Sequence, residues 1–299
     1  DFAGGEGTAE NPYLIETKEH LNNVRNHLDA HYKMIADIVF TNADFAEGGD
    51  FYNDGKGWEP IGSEIMPFSG VFDGNGKKII GLVSHAQSAD ENRAVGLFEL
   101  NTGKIHDLGM VDGSIEINLS IGATAGGIVG MNSGIIINCY NTGKIQIQAP
   151  MVIAGGIAGS NDATGLIFSC YSTGNITATS SYDSCVGGIT ARNGGIVSDC
   201  YNAGDLSGKA NIRDVFIGGI VANNTFSAEG KISNCYNIGT VSGDARSTAC
   251  VGAIAGDSAG MSFSGCYYLD IAEKGFGQGT GVSEKCTAEQ LKQQSTYTV

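Results

Sequence analysis

Apolar residues run through this chain in short bursts, each closed by Gly, Asn or Ser, and the bursts return on a period of about 30 residues. One full copy opens with Gly126-Gly127-Ile128-Val129-Gly130. It passes through Asn132 and Gly134 and continues as Ile136-Ile137-Asn138-Cys139-Tyr140-Asn141-Thr142-Gly143-Lys144-Ile145. Further copies open at Gly155-Gly156-Ile157, Gly187-Gly188-Ile189, Gly218-Gly219-Ile220 and Gly252-Ala253-Ile254. The Cys-Tyr pair recurs at Cys139-Tyr140, Cys170-Tyr171, Cys200-Tyr201, Cys235-Tyr236 and Cys266-Tyr267, at spacings of 31, 30, 35 and 31 residues. A diverged copy precedes them, with Gly96-Leu97-Phe98, Asn101, Gly103, Ile105, and Leu108 where later copies carry Cys.

Each copy holds three apolar runs, in the first full copy Ile128-Val129, Ile135 to Tyr140 and Lys144 to Gln148. Three short strands per repeat predict one triangular coil of a parallel β-solenoid. A propeller blade needs a fourth strand and a longer repeat, and helical repeats need a 3.6-residue period that is absent. In a solenoid each strand pairs with its own copy one coil on, about 4.8 Å away. Equivalent residues then form ladders, and the inward Ile, Val and Leu ladders supply the main stabilising burial.

A solenoid exposes strand edges at its ends, so caps are expected there. Thr17 caps a predicted helix over about residues 18–29, with Leu21, Val24 and Leu28 as its apolar stripe. A strand is expected from Met34 to Phe40, and Phe72 to Ile80 reads as a tight turn entering a strand. Thr287-Ala288-Glu289-Gln290 has the capping-box pattern and predicts a short helix to about Gln294. The expected organisation is one continuous domain. Residues 1–93 form the N-terminal cap and first coils, 94–270 the repeat solenoid, and 271–299 a C-terminal cap segment.

The composition agrees with many tight turns: 46 of the 299 residues are Gly and only 4 are Pro. The net charge of −15, with no cluster of cations, argues against nucleic acid or anionic membrane as partner. No apolar run is long enough to span a membrane. The chain begins at Asp1 rather than Met, as expected of a mature or trimmed polypeptide. None of the eight Cys makes a C-x-x-C pair, and no Asp-x-Asp-x-Asp-Gly loop is present, so zinc-ribbon, thioredoxin-like and EF-hand sites are not expected.

The unit Gly-Gly-Ile-Val-Gly … Asn-Cys-Tyr-Asn-x-Gly-x-Ile resembles the GLUG repeat of bacterial surface proteins. That repeat occurs in adhesin-like proteins and upstream of the catalytic part of IgA-specific metallopeptidases. The leader is similar as well, through Gly5-Glu6-Gly7-Thr8, Asn11-Pro12-Tyr13-Leu14-Ile15, Trp58-Glu59-Pro60-Ile61-Gly62 and Pro67 to Gly76. The resemblance spans nearly the whole chain. It implies a right-handed β-helix outside the cell, often joined to further domains. The family usually has Ser before Tyr, and Cys stands there instead.

Candidate chemistry is sparse. The column Cys139, Cys170, Cys200, Cys235 and Cys266 reads either as disulfides or metal ligands, or as reduced core residues. The second is favoured, because in-register parallel side chains keep Cβ atoms wider apart than a disulfide wants. The column Tyr140, Tyr171, Tyr201, Tyr236 and Tyr267 is either a sugar-stacking face or a structural corner stack. Asn141, Asn202 and Asn237 read as turn or ladder hydrogen-bonders. His20, His27 and His31 lie along one predicted helix face. The zincin motif would need Glu where Leu28 stands, so no metal site is expected. Asp73-Gly74-Asn75-Gly76 reads as a turn. Binding residues are expected in the variable loops, at Tyr182, Asp183, Arg213, Asp214, Asp244 and Arg246, and at Phe226 in the longest insertion.

The expected function is a non-catalytic surface module with no cofactor, monomeric, secreted or displayed at the cell surface. It would serve as an adhesin, a stalk, or a binder of host or microbial glycan or protein. A carbohydrate-active β-helix enzyme and an accessory domain of a secreted metallopeptidase are the alternatives.

Overall fold

The computed structural model describes residues 1–87, 94–224 and 229–294. The fold is a β-solenoid in which every strand pairing between coils is parallel and in register. The coil carries five short strands, not three. In one coil these are Lys104–His106, Gly109–Val111, Ser114–Asn118, Ala123–Gly126 and Val129–Asn132. Stacking of successive coils turns each into one sheet, here numbered first to fifth in that order, with nine, nine, six, six and seven strands.

The count of three was too low because one apolar run contains a corner and the strand that leads into the Gly-Gly pair lies outside all three runs. The run Ile135 to Tyr140 breaks into Ile135–Ile137 and Tyr140–Asn141 at Asn138, whose φ is +51°. The same left-handed corner falls at Asp107, Ser169, Asp199 and Asn234, and Gly265 takes it in the last coil. These residue types tolerate positive φ better than β-branched or bulky ones. The variation Asp, Asn, Ser, Asp, Asn, Gly before the Leu or Cys was the sequence signal for this corner. The second break lies at the Gly-Gly pair, between Ala123–Gly126 and Val129–Asn132.

Those two breaks meet across the coil. A Cβ on Gly127 would lie 2.4 Å from Asn141 Nδ2, and Gly156, Gly188 and Gly219 press in the same way on Ser172, Asn202 and Asn237. The contact pinches the cross-section into two buried lobes. The larger contains Ile105, Ile128, Ile136 and Cys139 and their copies. The smaller, between the third and fourth sheets, contains Ile115, Ile117, Ala123 and Ala125 and their copies. Ladders such as Ile105, Ile136, Ile167, Val197, Ile232 thus run fully buried along the axis.

Inside the larger lobe, polar side chains form a ladder of their own. Asn101, Asn132 and Asn161 each donate from Nδ2 to Oδ1 of the next Asn at 2.8 Å, ending at Asn193. Asn132, Asn161 and Asn193 also donate to the carbonyls of Gly134, Gly165 and Gly195 at 3.1 Å. Burial of these amides is tolerated because each finds partners. Asn141, Asn202 and Asn237 close the neighbouring turn in the same style, each donating to the Gly two residues on.

The caps differ in part from expectation. The N-terminal helix covers only Lys18–Asn23, followed by a 3-10 turn at Val24–Asn26. Thr17 caps it, its Oγ1 accepting from His20 N at 3.2 Å. The helix stops short because the chain turns into a strand at His31–Met34, a turn held by Tyr32 Oη donating to His27 O at 2.6 Å. The single strand expected from Met34 to Phe40 is two, His31–Met34 and Ile38–Val39, in different sheets. Trp58, Phe40 and Phe51 pack together beside the first coils. At the far end Ser283–Cys286 adds a strand to the second sheet. The helix Ala288–Gln294 follows, with Gln290 Oε1 accepting from Thr287 N at 2.8 Å as a capping box requires.

Candidate functional site

The Cys and Tyr columns stand side by side at the left-handed corner. The backbone carbonyls of Cys139, Cys170, Cys200 and Cys235 each accept from the Tyr N–H of the next coil, as in Tyr171 N to Cys139 O at 3.1 Å and Tyr201 N to Cys170 O at 3.1 Å. The ladder thiols are free, buried, and donate to the carbonyl two residues back, Cys139 to Ile137 at 3.2 Å and Cys170 to Phe168 at 3.0 Å. Burial pushes the thiols of Cys170, Cys200 and Cys235 well up, and Cys266 up to about 12. A thiol held neutral and out of water is a poor nucleophile. Cys170, Cys200, Cys235 and Cys266 are therefore expected to stay silent towards a soluble aromatic disulfide in the native protein and to react once it is denatured. Titration of released thiolate before and after denaturant checks this.

Tyr140, Tyr171, Tyr201 and Tyr236 stack with ring centroids 4.8, 4.8 and 4.9 Å apart and planes within 6°. Tyr140 also lies over Gly109, where a Cβ would sit 2.4 Å from its Cζ. The interior rings therefore present edges rather than faces, and sugar stacking uses faces.

The variable residues lie in a column of loops between the third and fourth sheets. Those loops are stacked by backbone bonds such as Tyr182 N to Pro150 O at 2.8 Å and Ser184 N to Asp214 O at 3.1 Å. Tyr182, Asp183, Arg213 and Asp214 come together there. The Arg213 guanidinium stands 5.7 Å from the Tyr182 ring centroid, and its Nη1 is 3.8 Å from Asp183 Oδ2. Asp183 Oδ1 accepts from Asp214 N at 3.3 Å, and Asp214 Oδ1 from Thr248 N at 3.0 Å. Arg246 belongs to the next loop of the column, its N donating to Ala210 O at 3.3 Å. Asp244 lies apart, on the third sheet, 3.6 Å from Lys209. Phe226 lies outside the described residues. Sequence reasoning named Tyr182 but missed Met151 and Ile212 on this edge. Met151, Tyr182 and Ile212 occupy successive loops and are 40, 44 and 50% exposed. The signal was a large apolar residue in each loop where a polar one would serve a turn.

The outward face of the third sheet is mostly polar. One column runs His85, Glu116, Gln146, Thr177, Ser207, Ser242. Glu116 pairs there with Lys144 at 3.1 Å. On the fifth sheet Glu99 stands where later coils carry Gly130, Gly159, Ala191 and Ala222. It is buried, and desolvation, with Glu64 and Glu59 nearby, pushes its carboxyl up. A carboxyl whose folded pKa is raised binds its proton more tightly in the native state. Stability therefore falls as pH rises through the window above the ordinary Glu value. Glu99→Gln is expected to raise the melting temperature at pH 7 and to do so less at pH 4, which thermal scans at both pH values check.

The three N-terminal histidines do not share a helix face. His20 is helical, His27 follows the 3-10 turn and packs 5.6 Å from the Tyr13 ring, and His31 opens a strand. Their spacing reads differently because the helix ends before His27. Among the described residues, one group of His and Asp side chains could hold a metal ion: Asp73, His106 and Asp107, whose ligand atoms lie within 4.8 Å of one another. No described helix is long and apolar enough to cross a membrane.

No family model matches the chain. The protein named "Putative Gly-rich membrane protein" from Evansella cellulosilytica is 38% identical over 141 residues, covering 46% of this chain and 15% of that protein. Halomucin from Haloquadratum walsbyi is 34% identical over 125 residues, covering 41% of this chain and 1% of halomucin. The chain thus spans a small part of the length of these relatives. The crystal structure of a "putative immunoglobulin A1 protease" from Bacteroides ovatus superposes with a TM-score of 0.73 at 24% identity, over 99% of this chain and 90% of that one. That likeness is one of fold.

Proposed function

We propose that the chain is a non-catalytic, extracellular or cell-surface β-solenoid module that binds a surface glycan or protein through its loop column. The supporting observation is the edge made by Met151, Tyr182 and Ile212 with Arg213 and Asp183. Large apolar groups stand in water there on three successive coils, flanked by charge. Exposed apolar patches rimmed by polar residues mark interaction sites, and Tyr and Arg are favoured contact residues. The relatives, a Gly-rich membrane protein and halomucin, are consistent with a place at a cell surface.

The test is a glycan array and a panel of matrix and mucosal proteins, probed with the native chain and with Tyr182→Ser/Ile212→Ser. The reading expects a bound class that the double variant loses while its melting temperature holds. Binding that survives the double variant would move the site elsewhere. Release of oligosaccharides from a polysaccharide would favour the carbohydrate-active alternative. The fold likeness to the Bacteroides ovatus structure supports a second reading, an accessory domain beside a protease. A protease domain in the same open reading frame would favour it.

A further inference from the structure

We propose that Asp73, His106 and Asp107 form a binding site for a divalent transition-metal ion such as Zn²⁺, at the left-handed corner of the early coils. His106 Nδ1 lies 2.7 Å from Asp107 Oδ2 and 3.6 Å from Asp73 Oδ1. Neighbouring ligand atoms around an ion held at about 2.1 Å are separated by about 3.0–3.4 Å in octahedral or tetrahedral geometry. The two distances bracket that range; the shorter is a hydrogen bond, so an ion entering here takes the place of the proton shared by His106 and Asp107.

The backbone explains the convergence. Asp73 and His106 are register partners on adjacent strands of the first sheet. Asp107 follows His106 at φ +55°, which turns its carboxylate back beside the imidazole. Both carboxylates are oriented by other groups. Asn75 N donates to Asp73 Oδ1 at 2.7 Å, and Asn138 Nδ2 to Asp107 Oδ1 at 3.1 Å. Outer partners of this kind fix ligand geometry in metal sites.

A second observation is positional. Asp73, Asn75, Asp107, Asn138 and Tyr140 line an open cavity at this corner, so the two carboxylates of the group border solvent. Along the same column the later coils carry Ile137, Phe168, Ser198 and Ser233. The donor set is therefore a local departure from the repeat, not a product of it. One imidazole with two carboxylates suits borderline ions such as Zn²⁺ better than Ca²⁺, which prefers oxygen ligands alone.

The experiment is calorimetric titration of Zn²⁺ into the native chain, His106→Gln, Asp73→Asn and His85→Gln, with melting curves for each. Ca²⁺ serves as the comparison ion. The proposal expects one saturable Zn²⁺ site and a melting temperature that rises with Zn²⁺. Affinity should fall at least tenfold in His106→Gln and in Asp73→Asn, and hold in His85→Gln. A Zn²⁺ site of unchanged affinity in both ligand variants would overturn it, as would the absence of a saturable site.

Discussion

Gly188→Ala is expected to destabilise the protein by about 3 kcal/mol. Its Cβ would lie 2.0 Å from Gly219 O, 2.5 Å from Asn202 Cγ and 2.6 Å from Asn202 Cβ. Asn202→Ala removes the amide but keeps the Cβ, and the Gly219 carbonyl stays in place because it belongs to the next coil's copy of the same corner. Asn202→Ala is therefore expected not to rescue Gly188→Ala. Gly48→Ala is the contrasting case: nothing lies within 4 Å of its Cβ, and only the φ of +86° opposes the methyl group. A cost of about 1–2 kcal/mol is expected there. Urea unfolding of the three variants and the parent separates close approach from backbone preference.

Asn161→Ala is the second large effect, expected at about 2–4 kcal/mol. Asn161 Oδ1 accepts from Asn132, and its Nδ2 donates to Asn193 Oδ1 and to Gly165 O. Truncation leaves an amide oxygen at Asn193 and a glycine carbonyl without this donor, in a region closed to water. Asn101→Ala removes the first member, which donates to Asn132 Oδ1 at 2.8 Å and accepts from Gly103 N at 3.0 Å but receives no bond from a preceding Asn, and it should cost less. A difference between the two variants in the same unfolding assay supports a ladder that acts as a chain of bonds. Equal costs would indicate independent amides.

The repeat made the architecture legible. The Cys-Tyr period placed equivalent residues over one another, and the structure pairs Tyr140, Tyr171, Tyr201, Tyr236 and Tyr267 in register. The number of strands was less legible, because a corner at a single left-handed residue leaves the hydrophobic run unbroken. Ile135 to Tyr140 stays apolar while the backbone turns at Asn138. The double-lobed cross-section was hidden for a related reason. Gly127 and Asn141 are distant in sequence, and neither alone reports that one presses on the other. On the surface, Tyr182, Asp183, Arg213 and Asp214 were legible as insertions that vary between copies. Met151 and Ile212 were not, since an isolated apolar residue in a loop carries no period. The Asp73, His106 and Asp107 group was invisible because it joins two coils in the least regular part of the repeat.

Everything functional here depends on coils stacked in register, since that alone brings successive loops into one edge. Asn118, Gln148, Thr179, Lys209 and Asp244 occupy one column of the third sheet. Spin labels on cysteines placed at Asn118 and Asp244, read by dipolar spectroscopy, measure four coil steps at once. Stacking predicts a narrow distribution centred near a backbone separation of about 19 Å, plus the reach of the labels. A broad distribution, or a separation far longer than four strand spacings, would contradict it.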